Sequence, residues 1–433
     1  MVFIRLERGL RRQLQEKCRE KRVPFYAAFV DLTKAFDTVS RTGLYTVLKK
    51  IGCPPTLLKV VQSFHNGMQA RVIFNGDVSQ CFPVKCGVKQ GCVMAPCLFN
   101  IYFSCLLYCA FQENTLGVYL HTRFDGGLFN VRRFHARTKV FNTTITDLLF
   151  ADDAAFVAHT SQDLQTLLDR FTAACTAFGL VISEKKTVVL HQPVANQSIT
   201  EEPEITLNGK KLDVVERFCY LGSYVSRNAD MEAELNNRIG RATSCLGQLR
   251  KRVWENRKLR LKTKITVYKA CVLSVLLYGS ETWPIYAKEV NRLNTFHLRN
   301  LRRILGVSWR DKVTNVEVLE QTGCDSMHTI LSTRRLRWLG HVCRLENNRL
   351  PKITLYSETV CGSRSRGRPL LRFNDRIRDD LRHCGISATT VEQTCVGRME
   401  WRRLLRNGAS QSERRWREEG KSRRKQAPSA WSA

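Results

Sequence analysis

The chain is short of acid. Across 433 residues, 39 Asp and Glu stand against 70 Lys and Arg, which gives a formal net charge of +31 and a pI near 9.9. Such a balance points to a polyanionic partner. A membrane surface would attract the same charge, but the chain has no long basic amphipathic helix with a clean apolar face. Its most membrane-like run, Val93 to Phe111, contains Pro96 and Asn100 and ends in polar residues, which fits a buried helix better than a span. No signal peptide opens the chain, because the apolar part of its first dozen residues is too short. None of the 17 cysteines forms a CxxC pair, and no His pair accompanies them, so zinc is set aside. Cys81, Cys86, Cys92, Cys97, Cys105 and Cys109 crowd apolar stretches and are expected to be buried free thiols in a reducing compartment. Apolar residues make up 43% of the chain, enough for real cores, and the length has room for two or three domains.

One acidic stretch stands out. Residues 146–160 read TDLLFADDAAFVAHT, two apolar runs broken by Asp152 and Asp153. That pattern predicts a β-hairpin. Asp is a common turn residue, yet this turn lacks the Gly that normally supplies a positive φ. Adjacent carboxylates about 4 Å apart repel by about 4 kcal/mol at an effective dielectric near 20. A cation should offset this, and a divalent metal is the obvious candidate. A second acidic stretch, FYAAFVDLTKAFD (25–37), predicts a strand ending at Asp31, followed by Phe36 and Asp37.

With these stretches side by side, the chain resembles the reverse transcriptases of non-LTR (LINE-type) retrotransposons. DLTKAFD is similar to the family's motif A, GVKQGCVMAPCLF (87–99) to motif B, FADD (150–153) to motif C, GLVISEKKT (179–187) to motif D and FCYLGS (218–223) to motif E. Five motifs in order are specific where any one is weak. The resemblance implies an α+β fold: a right-hand polymerase palm (an antiparallel sheet with packed helices), partial fingers, a helical thumb and a basic C-terminal region. The expected divisions are 1–24, a residual fingers helix; 25–227, palm and fingers; 228–345, thumb; and 346–433, a basic and partly disordered region. Family members carry fingers strands before motif A. Only about thirty residues precede Asp31 here, so a shortened N-terminus is expected.

The resemblance also assigns roles. Asp31, Asp152 and Asp153 hold two Mg²⁺ ions, with Mn²⁺ as a substitute. Phe36 excludes a 2′-hydroxyl, although plain core packing explains it equally well. Gln90 and Gly91 touch the template–substrate pair; Ala95-Pro96 replaces the usual Ser-Pro, so a hydroxyl contact is lost. Lys186 is the candidate general acid, with Lys185 a rival. Phe218, Tyr220, Leu221 and Gly222 form the primer grip. The implied function is RNA-directed DNA polymerase, with an RNA template, a DNA primer and deoxynucleoside triphosphates as partners. It is intracellular, in the nucleus first and the cytoplasm second. The rivals are a catalytically silent nucleic-acid-binding remnant and an RNA-dependent RNA polymerase; Phe36 and FADD argue against the latter. The cysteine–histidine knuckle of some relatives is absent from the sequence.

Elsewhere the patterns predict helices capped at Ser40 and Ser161, a short helix over 55–65, and hairpins at Asn75-Gly76 and Asn208-Gly209. Residues 117–145 read as strand-poor. Beyond 228 the chain turns helical, with Leu235, Ile239, Ala242, Leu246 and Leu249 on the buried face and Arg238 off it. The Lys and Arg excess after residue 238 predicts phosphate contacts. SRGRP (365–369) suggests a loop on phosphate or, less well, a minor-groove hook.

Overall fold

Five strands, numbered in chain order, form the sheet that carries the acidic stretch: β1 Phe25–Val30, β2 Asp147–Phe150, β3 Asp153–Ala158, β4 Val188–Gln192 and β5 Asp213–Val214. In this computed structural model, which describes residues 2–136, 138–194, 202–364 and 371–426, their spatial order is β5-β4-β1-β3-β2. β1 is central and pairs antiparallel with β4 and β3, while β5 joins β4 in parallel. The sequence of β1 does not alternate, because almost every position is buried. The helices Ala95–Phe111 and Ser161–Ala177 share a core with the sheet. Phe156 of β3 meets Phe171 with ring centroids 4.7 Å apart.

This sheet belongs to one of two compact units, Arg22–Tyr119 with Thr144–Phe218; the other comprises Met1–Lys21, Leu120–Thr143 and Cys219–Ala433. We call them the sheet unit and the helical unit. The structure is α+β, as the sequence predicts. Ser40 caps the helix Arg41–Lys50 through Gly43 N–H. Both expected hairpins turn on left-handed Asn-Gly pairs. The cap before Ser161 is Thr160, one residue earlier than expected.

Several expectations need correction. The N-terminal helix, Val2–Lys21, forms and belongs to the helical unit. Arg12 donates to the Tyr224 carbonyl at 3.0 Å and Gln15 to that of Ser226 at 3.2 Å, while Glu16 accepts from Phe373 N–H at 3.0 Å. Residues 118–122 and 141–145 are strands, joined in a sheet with Ser357–Thr359. Among the described residues of the C-terminal region, helices Phe373–His383 and Arg398–Gln426 enclose a core with Trp338, Phe373 and Trp401. Arg238 is buried, because Glu234 one turn earlier is buried with it and supplies the counter-charge. Of the six clustered cysteines, Cys81, Cys86, Cys97 and Cys109 are exposed and Cys92 and Cys105 half-buried. The helix Ala95–Phe111 is apolar all round, so some of its thiols face outward. The SRGRP segment lies outside the described residues, as do 195–201 of the polar loop before the Asn208-Gly209 hairpin. Among the described residues no helix is long and apolar enough to cross a membrane.

Candidate active site

β1 ends at Val30, and Asp31 follows. The last pair between β1 and β3 is Val30 with Ala154. One step further along the antiparallel register sets Asp31 across from Asp153. Asp153 pairs in turn with Phe150 of β2, which leaves Ala151 and Asp152 as the turn. Ala151 takes the left-handed conformation that a Gly would normally supply, with φ at +55°; a Cβ there costs about 1–2 kcal/mol. Burial, then the charges of Asp152 and Asp31, raise the Asp153 carboxyl above its ordinary value. Asp153 therefore feels the charge of both other acids.

The segment after the Ser161–Ala177 helix is fastened to the same strand end. Ser183 N–H donates to the Asp31 carbonyl and Thr33 N–H to that of Val181, both at 2.8 Å. A turn from Ser183 to Thr187 then brings Lys186 Nζ to 3.1 Å from Asp31 Oδ2. Lys186, not Lys185, meets Asp31. Its side chain is 71% exposed, so the pair is worth at most about 1 kcal/mol of stability. Its consequence is to place an ammonium beside the acids.

Among the described residues no group of three or more His, Cys, Asp or Glu side chains is close enough to hold a metal ion as it stands. The chemistry of the donors does fit a hard divalent cation. All three are carboxylates, the ligand type Mg²⁺ and Mn²⁺ take, and a bound cation would offset the burial and the neighbouring charges of Asp152 and Asp31 that raise Asp153.

Phe36 is half-buried, with its ring stacked on Phe99 at 4.5 Å. Its carbonyl accepts from Val88 N–H at 2.8 Å, and Gly87 N–H donates to Val39 O at 2.9 Å, so the loop before Gln90 docks on the turn after Asp31. Gly87 has φ +81°, and a Cβ there would come within 2.6 Å of the Asp37 carbonyl oxygen. Gln90 and Gly91 are exposed; Gly91 has φ +81° and open space where a Cβ would be. Sequence reasoning missed the residue that holds this loop. Arg41 donates to the carbonyls of Gly87 at 3.0 Å, His65 and Val84 at 2.9 Å and Cys86 at 3.2 Å. An Arg in a first helical turn carries no local signal for such a role.

The chain passes from the sheet unit to the helical unit between Phe218 and Cys219. Phe218 stacks on Phe29 at 4.6 Å in the sheet unit. Tyr220 is buried in the helical unit, with the Arg11 guanidinium 4.8 Å from its ring centre. Leu221 and Gly222 form the left-handed turn of a hairpin, at φ +48° and +71°. Arg238 donates to the Gly222 carbonyl, and Tyr278 hydroxyl to that of Leu221 at 3.3 Å.

Residues 4–225 match the family described as reverse transcriptase (RNA-dependent DNA polymerase). The chain belongs to this family. The match takes in the acidic sheet, the loop at 87–91 and nearly all of the 217–226 hairpin. Among similar proteins is the RNA-directed DNA polymerase from the mobile element jockey of Drosophila melanogaster, 25% identical over 67% of this chain and 29% of that protein. Another, from transposon BS of the same species, is 26% identical over 72% of this chain and 33% of that protein. A transposon-derived protein of Caenorhabditis elegans is 24% identical over 63% of this chain and 100% of its own length. This reverse transcriptase chain thus spans about a third of the jockey and BS polymerases. Their names support the non-LTR retrotransposon resemblance read from motifs A to E.

Proposed function

We propose that the chain is an RNA-directed DNA polymerase of a non-LTR retrotransposon, adding deoxynucleotides to a primer 3′ end on an RNA template. What supports the reading is that Asp31, Asp152 and Asp153 lie at neighbouring strand ends, where burial and then the charges of Asp152 and Asp31 raise the Asp153 carboxyl. These residues would hold Mg²⁺, two ions by the resemblance, with Mn²⁺ as a substitute. Bound there, such ions favour an ionised primer hydroxyl and stabilise the leaving pyrophosphate. Lys186 Nζ, already at Asp31, is the group to give that pyrophosphate a proton. Phe36, braced by Phe99, fits a gate against the ribose 2′-hydroxyl. Gln90 and Gly91 fit a contact to the base pair, on a loop that Arg41 holds. The turn Leu221-Gly222, with Phe218 and Tyr220, fits a grip on the primer.

The test is primer extension by the 433-residue chain on an RNA template with Mg²⁺ or Mn²⁺, run beside Asp152→Asn. Extension by the wild type that drops at least a hundredfold in the variant is expected. No extension by the wild type, with the protein folded, or equal extension by both, would overturn the reading. The first result would leave the chain as a silent remnant.

A further inference from the structure

A large groove in the helical unit has no part in the site above. It is an open groove of about 1160 Å³ between the helices Met327–Cys343 and Arg398–Gln426. The two helices run antiparallel: Trp401 Nε1 donates to the Leu336 carbonyl at 3.2 Å, and Glu413 accepts from Ser326 and Thr329 hydroxyls at 2.7 Å. Gly340 permits their approach, since a Cβ there would land on the Trp401 indole.

The groove is strongly cationic. Arg337 and Arg344 line it from one helix; Arg398, Arg402, Arg406 and Arg414 line it from the other. All of these but Arg344 are exposed, and among the described residues none of the six forms an ion pair. The acids of the lining are Glu320, Asp325, Glu413 and Glu418. Glu413 is taken up by Ser326, Thr329 and Arg417, and Glu320 by Lys421. The end near Trp401 has only cations. There Arg344 is lowered first by burial and then by Arg398 and Arg402, whose charges crowd it. His341 Nε2, in the same end, is buried without a hydrogen-bond partner.

Spacing identifies the ligand class. Arg398, Arg402 and Arg406 recur every four residues, so they stand about 6 Å apart over about 12 Å of one helix face, and the lining runs on to Arg414, about 24 Å along the axis from Arg398 and further round the helix. One phosphate or a small metabolite cannot span that length; a chain of regularly spaced anions can. Guanidinium forks suit phosphate oxygens. The aromatic of the lining, Trp401, is buried, so the groove offers neither a stacking platform for bases nor the exposed aromatic anchors of a protein interface. We infer that this groove binds the phosphodiester backbone of a nucleic acid, without reading its sequence, as a second nucleic-acid site on the chain. The inference does not rest on polymerase activity, and its test reads binding alone.

The experiment is fluorescence anisotropy with the full chain, a labelled single-stranded RNA 20-mer and a labelled DNA duplex of 20 base pairs, each over a series of salt concentrations. The variant is Arg398→Ala/Arg402→Ala/Arg406→Ala. The control is Lys49→Ala/Lys50→Ala/Lys59→Ala, three exposed cations that lie before residue 238 and outside the groove. In the groove variant affinity should fall at least tenfold for one or both probes. The slope of log affinity against log salt should shrink by about 2 for RNA or about 2.7 for duplex, the counterions of three phosphates. The arm that responds names the nucleic acid. The control should stay within threefold. Arg398→Lys/Arg402→Lys/Arg406→Lys keeps the charge and should keep binding within a few fold, which separates charge from a folding defect. Unchanged affinity and slope in the groove variant, an equal loss in the control, or tighter binding to anionic vesicles or polyglutamate than to either nucleic acid would each overturn the inference.

Discussion

Glu234 is the perturbation whose cost the structure specifies most closely. Its side chain is 1% exposed and lies beside Arg238, which is 3% exposed, with Nε 2.8 Å from Oε1. Its carboxylate also accepts from Tyr224 N–H at 2.6 Å and Ser223 hydroxyl at 3.4 Å. Arg238 spends its other donors on the Gly222 carbonyl and lies 4.4 Å from the Tyr278 ring centre. Glu234→Ala therefore removes the counter-ion of a buried guanidinium and orphans a backbone N–H in one step. Removing one partner of a buried pair costs about 3–5 kcal/mol. For a unit of this size, roughly 2–4 °C per kcal/mol puts the fall in Tm at roughly 6–20 °C. All seven tryptophans lie at or after Trp254, so tryptophan emission during urea or thermal unfolding reports the helical unit alone. The same physics makes the double replacement Glu234→Leu/Arg238→Met milder than Glu234→Ala, because no lone charge stays behind. A loss below about 1 kcal/mol for Glu234→Ala, or a double variant worse than the single one, would refute the reasoning.

His297 and Ala151 are two further positions where one substitution has a defined cost. His297 is buried between the Tyr268 hydroxyl at 3.0 Å and the Asp325 carbonyl at 3.2 Å, and burial pushes it down to about 4 from 6.5. The unfolded chain thus takes up a proton that the folded one refuses between those values. Stability is full above about 6.5 and falls by about 3 kcal/mol as pH drops to about 4. His297→Gln should flatten that slope in tryptophan-monitored urea unfolding at pH 7 and 4.5, and an identical pH dependence in both proteins would contradict it. Ala151→Gly, at φ +55° in the acidic hairpin, should stabilise the sheet unit by about 0.5–1 kcal/mol, the strain relieved less the extra entropy of Gly. Calorimetry checks it, and a lower Tm would mean that the turn is not strained.

The sequence alone determined whatever depends on near neighbours. The apolar runs around Asp152 and Asp153, the Ser40 cap and the Asn-Gly turns each name a local structure, because backbone geometry and side-chain period act over a few residues. Motif order carried the family as well. The tertiary structure alone decided which distant groups meet. It put Ala151 into the left-handed region where the sequence offered no Gly, since the β2–β3 register leaves room for only two turn residues. It brought Lys186 rather than Lys185 to Asp31, because the Ser183–Asp31 hydrogen bond sets the phase of that turn. It buried Arg238, which helical period had placed off the core, once Glu234 and the Gly222 carbonyl gave its guanidinium partners. And it turned arginines more than fifty residues apart into one groove, because charge carries no periodic signal of its own and only the packing of Trp401 over Gly340 aligns the two helices that bear them.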